Sequence, residues 1–220
     1  MSSPEPKVPS SKPAWKESAP LLILISAPSG GGKTTLCQQL LAARPDMTRA
    51  ITCTTRAPRP GEKNDVDYYF LEESDFQRRV KAGEFIEHAM VFGRSYGLLR
   101  SELLDKLRRG KDVLLNVDVQ GATTIRAKAQ QEPELAGALV TVFLTPPSIT
   151  VLEERLKKRA SDALEEIQKR LGIARKEIAQ WKNFDYLVIS STIAEDLRRM
   201  EAIVDAERMR QGRAKFNIGD

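Results

Sequence analysis

Histidine is nearly missing from this chain: His88 stands alone among 220 residues. One imidazole cannot build a zinc centre from several His and Cys, and a Ser-His-Asp relay would have a single candidate base. Cysteine is almost as scarce, with only Cys37 and Cys53. Two thiols make no disulfide scaffold and fit a reducing compartment. Both sit in apolar stretches with no activating partner in view, so they are expected to be buried and inert. No apolar run nears the ~20 residues of a membrane span; the longest strong one, residues 21–25, is strand-sized. The opening stretch MSSPEPKVPS has no apolar core of the export kind, which points to a cytoplasmic location. A dense block of lysine and arginine is also lacking. The net charge is +5, but the arginines fall in short groups, Arg56 with Arg59 and Arg155 with Arg159. Such groups suit single phosphates better than a polymer, so no nucleic acid and no membrane are expected as partners.

The composition that remains, 41% hydrophobic and 30% charged, belongs to a globular chain. Residues 1–20 differ from the rest. Pro4, Pro6, Pro9, Pro13 and Pro20 remove donors and fix φ, serines fill the gaps, and Trp15 is the one large apolar group. This segment reads as a disordered tail. From residue 21 the pattern changes. Short apolar runs at 21–26, 113–117, 139–144 and 186–189 read as buried parallel strands. Helical stretches cover 34–43, 99–109, 121–130, 149–159 and 163–181, and a last helix carries Leu197, Met200 and Val204. Strands alternating with helices imply a parallel sheet with helices on both faces. In 163–181, Leu164, Ile167, Leu171, Ala174, Ile178 and Trp181 recur at helical spacing and predict a core-facing stripe. The middle has another texture: Pro58, Pro60 and Gly61, then β-rich 66–70 and 85–91, suggesting a small inserted lobe.

Residues 26–35 read Ser-Ala-Pro-Ser-Gly-Gly-Gly-Lys-Thr-Thr. They resemble the P-loop pattern G-x-x-x-x-G-K-[ST], with Ala27 in place of the first glycine. A strand precedes them and a helix follows. Glycines let successive N–H groups converge on one anion, and the helix N-terminus adds its positive dipole end. Ala27, Pro28, Ser29, Gly30, Gly31, Gly32, Lys33, Thr34 and Thr35 are the candidate ATP-binding set. Lys33 can reach the β- and γ-phosphates, and the Thr34 hydroxyl can bind Mg²⁺. Ala27 is tolerable if its φ is negative.

A P-loop does not name the acceptor. Residues 52–70 carry T-T-R-x-P-R-x-G-E followed by D-Y-x-F, and Asp118, Gln120 and Gly121 make D-x-Q-G. These resemble the GMP-binding segment and a second motif of guanylate kinases, and the resemblance runs from about residue 21 to residue 209. It implies an enzyme that moves the γ-phosphoryl group of ATP to GMP with Mg²⁺, in purine nucleotide metabolism. The expected fold class is α/β: a P-loop three-layer fold with a central, mostly parallel sheet, an inserted mixed-β GMP-binding lobe and a small helical lid. The expected boundaries are a guanylate-kinase-like domain at 21–211, with core 21–51 and 99–211, GMP lobe 52–98 and lid near 155–170; a short tail, 212–220, follows.

The residue chemistry supports the match. Arg56 and Arg59 are joined through the stiff Pro58 and could clamp one monoester phosphate. The resemblance adds Tyr68 and Tyr96 to that cradle, Thr52 and Asp118 to the GMP site, and Glu87 as the specificity residue. A carboxylate accepts from guanine N1–H and the 2-amino group together; adenine offers neither donor. Nothing evident reads a 2′-hydroxyl, and whether dGMP is also an acceptor stays open. Arg155 and Arg159 lie four apart on one helix and Arg170 on the next, across the polar break Ala160-Ser161-Asp162. By resemblance to the lid of nucleoside monophosphate kinases, these three arginines and Lys33 form the catalytic set. Near the adenine end, Ser190 stands where the family often has Asn. Two positions depart from the family pattern: Leu98, where a hydroxyl residue usually touches the base, and Asn116, where an acidic residue is common. Weaker GMP affinity is the expected result. The competing readings are a P-loop kinase for another phosphorylated acceptor and a catalytically idle guanylate-kinase-like module that binds a protein. Glu87 with Thr52 weighs against the first, and Lys33, Thr34, Arg56 and Arg59 against the second. Monomer and homo-oligomer both stay open.

Overall fold

The structure, a computed structural model, describes residues 18–91, 93–159 and 164–214, with the side chains of 158, 159 and 164–166 left aside. In chain order the elements are β1 (Leu22–Ser26), α1 (Lys33–Ala43), β2 (Met47–Arg49), β3 (Cys53–Thr54), β4 (Tyr69–Phe70), α2 (Glu73–Lys81), β5 (Phe85–Val91), β6 (Arg94–Leu99) and α3 (Arg100–Arg108). There follow β7 (Asp112–Asn116), α4 (Val119–Ala129), α5 (Pro133–Ala138), β8 (Leu139–Thr145), α6 (Ile149–Arg159), α7 (Leu164–Ile178), a 3₁₀ turn (Ala179–Asn183), β9 (Tyr186–Ile189) and α8 (Ile193–Arg208).

Five strands form a parallel sheet in the order β2-β7-β1-β8-β9. Strand β1 is fully buried because successive side chains feed opposite cores. Leu22 and Leu24 join a cluster with Leu103, Leu104 and Leu107 of α3 and Ala122 and Ile125 of α4. Ile23 and Ile25 join another with Leu36 and Leu40 of α1 and Met200 and Val204 of α8. Burial on both faces explains why the run is continuously apolar rather than alternating. Each such side chain contributes about 1.5–3 kcal/mol of burial energy.

Between β2 and α3 the chain builds a second, mixed sheet in the order β4-β3-β6-β5. Strands β3 and β4 run parallel, whereas β6 is antiparallel to both β3 and β5. Its own small core holds Cys53, Phe76 and Phe85, with the two rings stacked at 4.5 Å. Gly97 is required there: a Cβ would lie 2.8 Å from Phe85 Cδ1. Glu102 of α3 ties this sheet to the larger one. It is buried, accepts from Ile51 N at 2.7 Å and Tyr69 Oη at 2.9 Å, and pairs with Lys106.

Five elements escape the sequence pattern. β2, β3 and α5 are too short to show a period. α2 buries only Phe76, and β6 is interrupted by Gly97. The expected helix 163–181 ends as α-helix at Ile178 and tightens into the 3₁₀ turn. That change of period breaks the predicted stripe: Ile167, Leu171 and Ala174 are buried, but Trp181 is exposed. The tail boundaries also shift. Ser18 pairs with Ala214, and Ala19 N donates to Arg213 O at 2.9 Å. Arg213 is held by Glu207 and by the carbonyls of Gly137 and Leu139, so 18–20 and 212–214 lie against one another as part of the packed structure. Trp15 and the rest of 1–17, 215–220 and the break Ala160-Ser161-Asp162 lie outside the described residues. Among the described residues no helix is long and apolar enough to cross a membrane.

Candidate functional site

The site forms at the carboxyl ends of β1 and β7, where the chain crosses to opposite faces of the sheet, the usual ligand position in open α/β sheets. After β1 the loop reverses tightly, with Gly31 N donating to Pro28 O at 2.9 Å. Gly30 and Gly32 have φ of 83° and 93°, which L side chains rarely adopt. Gly31 is needed for space, since a Cβ would lie 2.9 Å from Pro28 O. Ala27 is not among the residues of positive φ, as its methyl requires. Helix α1 starts with no side-chain cap and no acidic residue in its first turn. Its N–H groups and dipole are thus left to an anion.

A cavity of about 170 Å³ is lined by residues 27–34 together with Asp118 and Glu177. Lys33 Nζ crosses to donate to Val117 O at 2.6 Å. Burial lowers its pKa, and the carboxylates of Asp118 and Glu177 offset part of that effect. Asp118 caps α4, its Oδ1 accepting from Gly121 N at 2.7 Å. Cys37 lies nearby on α1 with its thiol pushed up to about 12 by burial, and both cysteines are free and buried. Their burial is as expected.

The predicted acceptor residues cluster on the second sheet. Arg56 donates through Nη2 to both oxygens of Glu62 at 2.9 Å, and Arg59 N donates to Glu62 Oε2 at 2.8 Å. Those contacts hold the Glu62 carboxyl below its ordinary value. The Arg56 guanidinium lies 5.5 Å from the Tyr68 ring centre, and Tyr68 meets Tyr96 edge-on at 6.3 Å. Arg56, Tyr68 and Tyr96 are thus brought together, with Arg59 exposed beside them. Thr52 is half-buried at the start of β3, its carbonyl accepting from Tyr69 N.

A register shift between Phe85 and Glu87 sets Glu87 opposite Leu98. Burial first, then the Asp118 carboxylate, raise the Glu87 carboxyl above its ordinary value, with Lys128 opposing. Leu98 itself is fully buried in the core between the two sheets and helix α4. Gly121 is where the two halves of the site meet. A Cβ on it would lie 3.3 Å from Asp118 Oδ1 and 3.9 Å from Glu87 Cδ.

On the other side of the loop, a cavity of about 290 Å³ is lined by Gly32, Thr35, Arg155, Ser190, Ser191 and Ile193, among others. Arg155 Nη2 donates to Ser190 Oγ at 3.3 Å, and its Nη1 lies 3.9 Å from where a Gly32 Cβ would be. Arg159 closes α6, its side chain outside the described residues. Arg170 is half-buried on α7. Two residues at the site had no assigned part in the sequence reading. Glu62 belongs to the quoted T-T-R-x-P-R-x-G-E run and could have been found there. Glu177 carries no local signal, because it arrives from a helix nearly 150 residues away, with |i−j| of 148 from Ser29.

The guanylate kinase family model matches residues 19–207. The guanylate kinase of Coxiella burnetii is 43% identical over 190 residues, covering 86% of this chain and 89% of the relative. That of Maricaulis maris is 38% identical over 191 residues, covering 87% and 85%. Among solved structures, the guanylate kinase from Anaplasma phagocytophilum superposes with a TM-score of 0.68 at 32% identity, covering 91% of this chain and 92% of that one. Together with the phosphate loop at the carboxyl end of the parallel sheet and the arginine–tyrosine cluster and Glu87 on the second sheet, these likenesses establish that the chain belongs to the guanylate kinase family.

Proposed function

We propose that this chain is an ATP:GMP phosphotransferase whose donor and acceptor meet at the N-terminus of α4. The observation that carries the reading is the convergence at Asp118 and Gly121. Lys33 of the phosphate loop bonds the carbonyl of Val117, and the Glu87 carboxylate approaches Gly121 from the other side. A base seated at Glu87 and a triphosphate seated on the loop would face each other across this point.

In this reading residues 27–35 hold the ATP phosphates through loop N–H groups and Lys33. Arg56, Arg59, Tyr68 and Tyr96 hold the GMP phosphate, while Glu87, Thr52 and Asp118 hold the base. Guanine donates N1–H and the 2-amino group to Glu87; adenine would leave a half-buried carboxylate unpartnered, a costly mismatch. Arg155, Arg159 and Arg170 neutralise the charge that develops during transfer. The acceptor is already an anionic phosphate oxygen, so no general base is required and the protein's work is alignment, water exclusion and charge balance. Residues 52–98 act as the acceptor lobe and 155–170 as the lid on a core of 21–51 and 99–211. Thr34 is exposed at the first turn of α1 and lines the same cavity as Asp118, and a hydroxyl and a carboxylate are oxygen donors of the kind a hard cation takes. Thr34 would hold Mg²⁺ together with the donor phosphates, where it supplies neutralisation of the phosphate charge. The two free thiols fit a cytoplasmic location.

The test is ADP release in a coupled assay with ATP and Mg²⁺, offering GMP, AMP, UMP and CMP in turn. Turnover is expected with GMP alone. Silence with all four, from a protein that still binds GMP, would identify an idle binding module instead.

A further inference from the structure

Glu177 sits where a phosphate would be expected. The loop and the uncapped start of α1 attract an anion, and the chain brings one of its own: Ser29 N donates to Glu177 Oε2 at 3.4 Å. The Glu177 carboxylate also lines the phosphate cavity and lies close enough to Lys33 and Asp118 to interact with both charges. We propose that Glu177 is an internal occupant of the donor-phosphate site, a carboxylate that polyphosphate must displace and that thereby sets the affinity of the loop for its donor. This rests on the donor role assigned above to residues 27–35.

Glu177 forms part of the wall of the cavity of about 170 Å³, so a phosphate chain seated on the loop would lie against its carboxylate. Two anions there would repel strongly in surroundings less polar than water. Glu177 also lies half-buried, so burial raises its carboxyl above the ordinary value and the loop contact only partly offsets that cost. A lone N–H donor at 3.4 Å is a weak hold compared with the several charge-assisted bonds that a triphosphate would make to the loop and Lys33. A polyphosphate therefore wins the exchange, whereas a single weakly bound anion does not. Glu177 in this role favours donors with a long phosphate chain.

The experiment compares the whole protein and its Glu177→Gln variant by calorimetric titration with inorganic tripolyphosphate, ATP and GMP. Glutamine keeps the size and can still accept from Ser29 N, but it lacks the charge; a thermal melt checks that the variant is folded. Tripolyphosphate and ATP are expected to bind the variant about tenfold more tightly, with GMP affinity unchanged. Equal or weaker polyphosphate binding by the variant would overturn the role of Glu177 while leaving the donor site standing. A gain of the same size for GMP would also overturn it, since the effect would then be general. If neither protein binds tripolyphosphate or ATP, the donor role of the loop falls and this inference with it.

Discussion

Leu98→Ser separates stability from substrate binding at one position. Leu98 is 0% exposed, inside the cluster that holds Ile86, Leu103, Leu104 and Ala122. Truncating a leucine in such a place removes its transfer energy and leaves a cavity, a loss of about 2–5 kcal/mol. A hydroxyl buried there without a partner adds roughly 1–3 kcal/mol. Together they predict a loss of about 3–8 kcal/mol, which for a chain of this size lowers Tm by roughly 6–32 °C. The register places position 98 opposite Glu87, so with GMP bound the new hydroxyl has a base edge within reach. KM for GMP is therefore expected to fall while KM for ATP stays constant. Leu98→Ala is the control: it loses comparable stability without gaining a hydrogen bond. Urea denaturation and steady-state kinetics at one temperature, well below both midpoints, measure the two effects. A stability loss under ~1 kcal/mol would mean that Leu98 is not closed into the core. A KM for GMP that is the same in the serine and alanine variants would refute the reasoning about the base.

Other outcomes follow from the same geometry. Glu87→Gln should abolish selection of GMP while raising stability at neutral pH by about 0.5–2 kcal/mol, a trade common at functional sites. The sign follows from the raised Glu87 carboxyl, which burial first and then Asp118 push up against the opposing Lys128. The folded protein holds this proton over a range where the unfolded chain has lost it, so the stability penalty grows as pH rises from the ordinary carboxylate value through the raised one. The gain in the variant should vanish in acid, and wild-type GMP affinity should weaken as pH falls through the raised value; melts and titrations from acid, below the ordinary carboxylate value, up to neutral pH check both. Glu102→Ala strands the Ile51 N–H, the Tyr69 hydroxyl and the Lys106 cation, and is expected to cost about 3–5 kcal/mol in urea denaturation. Tyr69→Phe should cost only about 1 kcal/mol, and a larger rise in KM for GMP than for ATP would show that this bond orients the second sheet. Gly31→Ala drives a methyl towards Pro28 O, so KM for ATP should rise with KM for GMP unchanged; equal effects on both would point to a general fold defect.

The parts of this protein that its sequence determined are those encoded by consecutive residues. β1 is apolar throughout because both faces of the sheet are covered, and a glycine triplet before Lys-Thr can do little else than turn tightly into a helix start. The Arg56–Arg59 pair, stiffened by Pro58, and the hydrophobic spacing of α3, α6 and α8 are local in the same way. Tertiary structure decided what depends on distant partners. That Leu98 is core and opposite Glu87 follows from a register shift in β5, which no local pattern announces. The turn after α7 leaves Trp181 outside the stripe to which its spacing assigned it. Ser18 and Ala19 are paired with Ala214 and Arg213, partners that their own sequence does not announce. Glu177 meets Ser29 only because the sheet order sets α7 over the phosphate loop. A charge placed by the fold, with no neighbour in sequence to explain it, is information that one-dimensional spacing does not contain.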